Sequence, residues 1–161
     1  MALNNLRRGA LKPGKTIPVI MNMFTYRDAN GTVCHPIIHC EHLGSENYGF
    51  INDMMRGAGA DGVRVAAHTA RTPDQVVRVR GANREQVAKH SARRLEGFFY
   101  DDADGNPDLS KPVPSTSAGL AEVINALPDD VFDMLLSIVT DSENYRDVPI
   151  AASPDDIAKK S

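Results

Sequence analysis

Two runs rich in β-forming residues flank a turn in the N-terminal third, and this pattern limits the fold more tightly than any other local feature. The first run, Ile17 to Arg27, reads I-P-V-I-M-N-M-F-T-Y-R, and the second, Thr32 to Leu43, reads T-V-C-H-P-I-I-H-C-E-H-L. Asp28-Ala29-Asn30-Gly31 stands between them. Asn-Gly favours a type I′ hairpin turn, in which both central residues take positive φ. The sequence therefore predicts a β-hairpin. Pro36 has no N–H for a ladder, so the second strand is expected to lie at an edge there or to carry a bulge.

Helical signals follow. Ser45 is placed to cap a helix over Glu46 to Ala58, with Phe50, Ile51, Met54 and Met55 as a wide apolar face. Gly57, Gly59 and Gly62 then break the chain, and residues 60–71 carry no clear pattern. Thr72-Pro73-Asp74-Gln75 combines a cap, a proline at the first helical position and a glutamine at the third. Gly81 is read as an interruption. Asn83 with Gln86 then predicts a second helix, from Arg84 to about Tyr100, burying Val87, Ser91, Leu95, Phe98 and Phe99. Asp101 to Ser115 reads as a polar loop. Ser115 is expected to cap a helix over Thr116 to Ala126. Pro128, Asp129 and Asp130 open another, with Val131, Phe132, Leu135, Leu136 and Val139 buried. No internal repeat or low-complexity segment is read. The expected class is α+β: an N-terminal β-hairpin or small sheet followed by a mostly helical body. One domain is expected over 16–148, between a flexible N-terminal arm (1–15) and a frayed C-terminal tail (149–161).

With 161 residues and 42% hydrophobic content, such a domain can bury a core without disulfides or metal. The apolar runs fall far short of the ~18 residues of a membrane span. No apolar stretch follows Arg7 and Arg8 to make a secretory signal, and two cysteines do not form a disulfide scaffold, so a reduced, cytoplasmic setting is expected. Charge is unevenly placed. The net charge is +1 over residues 1–63, +6 over 64–94 and −10 over 95–161. A basic stretch attracts phosphates. However, no aromatic residue lies between Phe50 and Phe98 to stack on bases, so nucleic-acid binding is not expected. The opposed segments are expected to neutralise one another within the fold or across a subunit interface.

Cys34, His35, His39, Cys40 and His42 fall within nine residues and are all metal-ligand types. Strand alternation puts only Cys34, Cys40 and His42 on one face. A regular strand at ~3.3 Å per residue separates the two thiols by about 20 Å, so no metal site is expected. Asp102, Asp104, Asn106 and Asp108 alternate like calcium ligands. Pro107 and Val113 occupy the positions where an EF-hand loop needs Gly and Glu, which leaves a tight turn as the reading. No nucleophile elbow, phosphate loop or His-Glu-x-x-His is present, and His68 and His90 stand singly. No catalytic residue and no cofactor are therefore assigned.

From Glu41 onward three stretches resemble the tail assembly chaperones of tailed bacteriophages: HLGSENYGFINDMM (His42 to Met55), AKHSARRLEGFFYDDADGNP (Ala88 to Pro107) and ALPDDVFDMLLSIVTDSENYR (Ala126 to Arg146). Phe98-Phe99 stands where that family usually has tryptophan. The resemblance implies a non-enzymatic factor of the host cytoplasm that binds the tape-measure protein and tail-tube subunits during virion morphogenesis, as a homo-oligomer. The expected partner-binding residues are Phe50, Met54, Met55 and Phe98 at an apolar centre, with Arg93 and Arg94 at its rim. Two alternatives stand beside it. One is a structural virion component, such as a small head–tail or tail-tube-associated protein. The other is a metal-binding module on the Cys34–His42 cluster.

Overall fold

The N-terminal β-forming runs pair as expected, but as a hairpin broken in the middle. The computed structural model describes residues 9–57 and 72–146. Four strands come from the two runs: β1 (Thr16–Ile20), β2 (Tyr26–Arg27), β3 (Val33–Cys34) and β4 (Ile37–Glu41). β1 pairs antiparallel with β4, Thr16 opposite Glu41, and β2 with β3, Tyr26 opposite Cys34. Five residues separate the two ladders on one side, Met21–Thr25, but only His35 and Pro36 on the other. Pro36 thus sits in the break, where its carbonyl accepts the Met21 N–H at 2.8 Å.

The turn differs from a type I′ turn. Gly31 takes φ 78°, whereas no described non-glycine residue, Asn30 included, has positive φ. The Asp28 carbonyl accepts the Gly31 N–H, and the Asp28 N–H donates to the Thr32 carbonyl. The Asp28 carboxylate accepts the N–H groups of Asn30 and Thr32, each at 2.9 Å. This five-residue loop satisfies its own amides through an aspartate, so a mirror-image turn is not needed.

β4 is not an edge strand. The sheet order is β1-β4-β5, with β5 (Ala92–Glu96) antiparallel on the far side of β4. The proline at the edge is Pro18 in β1. Counting from the Met21–Pro36 bond, alternation turns the Pro18 nitrogen away from β4, where a missing N–H breaks no ladder bond.

α1 (Tyr48–Gly57) is capped by Asn47, whose side-chain oxygen accepts the Phe50 N–H, and not by Ser45. α2 (Pro73–Gln86) starts with the expected capping box at Thr72 and Gln75 and runs through Gly81 without a break. The expected second helix, reaching Tyr100, does not form. α2 passes into one π-helical turn, Val87–Ser91, and the chain then straightens into β5. Ala92 and Leu95 are buried while Arg93 and Arg94 are exposed. Opposite them the register jumps between His39 and Cys40, so Arg93 is the extra residue of a bulge. The bulge sets the two buried residues three positions apart, a spacing also found along a helical stripe. Pairing with β4 outweighs helix continuation here, and the Ser91 hydroxyl donates to the Glu41 carbonyl at 2.6 Å at the changeover.

The stretch read as a polar loop holds a second hairpin, β6 (Phe99–Asp101) and β7 (Pro107–Pro112). Its turn repeats the first bond for bond. Asp102 accepts the Gly105 N–H on its carbonyl and the Asp104 and Asn106 N–H groups on its carboxylate, and Gly105 takes φ 80°. The sequences match as well. Phe24-Thr25-Tyr26-Arg27-Asp28-Ala29-Asn30-Gly31 recurs as Phe98-Phe99-Tyr100-Asp101-Asp102-Ala103-Asp104-Gly105. Asp101 opposes Pro107 just as Arg27 opposes Val33. The chain therefore does contain an internal repeat.

α3 (Ser117–Ala126) is capped by Thr116, and Ser115 instead accepts the Leu95 N–H on the outer edge of β5. α4 (Asp129–Thr140) and a 3-10 turn (Ser142–Tyr145) complete the α+β fold. The core joins Ile38 and Cys40 of the sheet to Val87, Ile124, Phe132, Leu135 and Val139, all fully buried. Burying a side chain of this size contributes about 1.5–3 kcal/mol. The described part of the expected arm is tied down. Lys15 Nζ donates to the Tyr145 carbonyl and Arg146 to that of Gly9. Residues 1–8 and the expected tail lie outside the described residues. No helix among the described residues is long and apolar enough to cross a membrane.

A Cβ added at Gly31 would stand in open space, with nothing within 4 Å. Gly31→Val should therefore lower unfolding stability through backbone strain alone, by on the order of 1 kcal/mol. Gly31→Asn should cost less, because asparagine tolerates positive φ. Urea titration of the two variants checks this ranking, and an unchanged midpoint for the valine variant would contradict the turn geometry.

Candidate functional site

The corner at which α3 turns into α4 is held by Arg84, near the end of α2. Its guanidinium donates to the Ile124 and Leu127 carbonyls, which the C-terminal end of α3 leaves without helical partners, and to Asp129 Oδ1 at 2.8 Å. It also lies over the Phe132 ring, 4.6 Å from the centroid. One turn earlier, Arg80 binds Asp133 at 2.9 Å and Asp129 at 3.4 Å. Two arginines of the basic middle thus pair with two aspartates of the acidic C-terminal half within the fold, one of the two arrangements expected from the charge order.

That corner and the two hairpins enclose a cleft of about 590 Å³. The first hairpin contributes Phe24, Tyr26 and the adjoining Pro36; the second contributes Phe98, Phe99 and Tyr100. Val123, Ala126, Leu127 and Pro128 come from the corner. The repeat therefore presents the same two aromatic positions twice. Tyr26 and Phe99 meet edge to face, 5.2 Å between centroids. Gly97 makes the approach possible: its φ is 74°, and a Cβ there would lie 2.4 Å from Tyr26 Cε1. Burial and the neighbouring Cys34 raise the Tyr26 phenol above its ordinary pKa. Tyr100 donates to Glu122 Oε2 at 2.9 Å, and this bond raises the Tyr100 phenol too. The charged residues among the described lining are Asp101 and Glu122, both acidic.

The six expected partner-binding residues do not form one surface around this cleft; only Phe98 lines it. Met54 and Met55 lie on α1, 37% and 74% exposed. Phe50 packs partly against the core, 6.3 Å from the His90 ring. Asp53 of the same helix binds His90 Nε2 at 3.0 Å, and that bond holds its carboxyl below the usual carboxylate range. Arg93 and Arg94 sit on a strand rather than on a helix. Arg93 pairs with Glu41 at 2.8 Å and Arg94 with Glu96 at 2.7 Å, so both are committed to their own sheet. Tyr26, Tyr100, Glu122 and Arg84 were not singled out from the sequence. The repeated Phe-x-Tyr-x-Asp-Ala-x-Gly pattern is the signal that would have found the two tyrosines.

The metal-ligand types of the second β-run are dispersed. Cys40 is fully buried, which pushes its thiol up to about 12. Cys34 sits on the inner ladder near Asp28. His42 is buried against Glu46 and the Thr140 carbonyl. Among the described residues no three His, Cys, Asp or Glu side chains come together as a metal ion would require.

Comparison with known proteins finds no matching family model, no matching curated protein and no matching solved structure.

Gly97→Ala should destabilise the chain and open the Tyr26–Phe99 contact, because the new methyl group meets both an unfavourable φ and the Tyr26 ring. The φ penalty alone is about 1–2 kcal/mol. The chain has no tryptophan, so tyrosine fluorescence and near-ultraviolet dichroism report the ring contact directly. Spectra and a melting temperature equal to those of the parent would contradict this packing.

Proposed function

We propose that the chain is a non-catalytic tail assembly factor of a tailed bacteriophage, acting in the host cytoplasm. On this reading it holds the tape-measure protein soluble, brings tail-tube subunits to it, and works in several copies along that long partner. The observation that carries the proposal is the open, aromatic-walled cleft, a shape suited to gripping apolar side chains of another chain. Two of the three stretches that resemble tail assembly chaperones, Ala88 to Pro107 and Ala126 to Arg146, supply residues to its lining. The third supplies α1, whose exposed Met54 and Met55 add adaptable apolar surface.

The test is co-expression with the tape-measure protein of the same genome, scored by how much of that protein stays soluble. Ala126→Arg places a long cation among the cleft's lining residues, at an exposed position where substitution usually changes stability by less than ~0.5 kcal/mol. The parent chain should raise the soluble fraction, and the variant should do so less. Failure of the parent chain to solubilise its partner, together with stoichiometric presence in purified virions, would favour a structural virion component instead.

A further inference from the structure

We infer that the cleft takes one apolar side chain of a partner segment that carries a lysine or arginine next to it. This rests on the assembly-factor reading and specifies the partner's local chemistry. The apolar part follows from the walls: Phe24, Tyr26, Phe98 and Tyr100 leave a space large enough for a leucine or phenylalanine side chain. The cationic part follows from which charges the fold leaves over. Asp129 and Asp133 are bound to Arg80 and Arg84, Asp102 accepts amides within its own turn, and Asp108 is held by Ser110 and Lys111. The acidic groups of the cleft itself are Asp101 and Glu122. Neither has a cationic partner among the described residues.

Tyr100 sharpens the arrangement. Its hydroxyl holds Glu122 through Oε2, which keeps the carboxylate beside the aromatic wall. A cation arriving next to an anchored apolar group therefore meets a fixed acceptor and an aromatic face together. The same two carboxylates repel phosphate. The cleft thus disfavours nucleic acid and anionic lipid headgroups, and selects a cationic protein segment.

The experiment uses the full chain labelled with ¹⁵N and three synthetic seven-residue peptides. Each has a central leucine, flanked on both sides by Lys, by Ser or by Glu. The Lys-flanked peptide should move the amide signals of Gly97 to Asp101 and of Glu122 to Leu127. It should bind more tightly than the Glu-flanked peptide by on the order of tenfold at low salt, with the difference shrinking as salt is added. Asp101→Asn with Glu122→Gln should remove that preference, leave the Ser-flanked peptide unaffected and preserve the melting temperature, since the new amide oxygen can still accept the Tyr100 hydroxyl. Equal affinity for Lys and Glu flanks, signal changes elsewhere, or no binding by any peptide overturns the inference. The outcomes separate the two proposals. If the parent chain solubilises its partner but shows no preference for Lys flanks, the assembly reading stands and the cationic segment falls. A Lys preference without solubilisation gives the reverse.

Discussion

The Arg84 guanidinium is the interaction on which the rest of the arrangement depends. It ends α3, starts α4 and covers Phe132 in the core, three tasks that share one planar cation. A lysine in its place has one compact ammonium and no fork with which to bridge two carbonyls and a carboxylate. The corner it fixes supplies one side of the cleft, so the candidate site inherits its shape from a side chain that does not line it. Hydrogen bonds to a charged group are worth about 1.5–3 kcal/mol each, and the two to the Ile124 and Leu127 carbonyls are partly buried.

A second constraint is the central position of β4. With β1 already on one side, its other edge must be covered, and β5 covers it. That requirement turns the chain out of α2 through a π-helical turn and delivers Gly97 to Asp101 beside the first hairpin. The two hairpins then share the Tyr26–Phe99 contact at the cleft. Sheet completion is thus what brings the repeated segments together.

How much of this could be read in the sequence varied with how local its cause is. The capping box at Thr72, the β-character of both N-terminal runs and the buried face of α4, except for the half-buried Leu136, are set by neighbouring residues, and they were legible. The strand at Ala92–Glu96 was not, because Val87, Ser91 and Leu95 are spaced as one helical stripe, and only the free edge of β4 decides between strand and helix. The second hairpin was hidden by Pro107, Pro112 and the acidic turn, which read as loop when taken alone. Set beside Phe24 to Gly31, Phe98 to Gly105 shows the same turn chemistry, so this feature was present but needed comparison of the chain with itself. Of the expected site only Phe98 lines the cleft. Arg93 and Arg94 were placed on a helix that does not form, and their charge is taken up by Glu41 and Glu96.

On the proposed reading the partner enters the cleft between the two hairpins before it touches the exposed face of α1. Amide hydrogen exchange on the chain alone, and on the chain co-purified with the tape-measure protein, tests it most directly. Added protection is expected in residues 24–26, 97–101 and 122–127. Protection confined to Tyr48–Gly57, with exchange at the cleft unchanged, would contradict it.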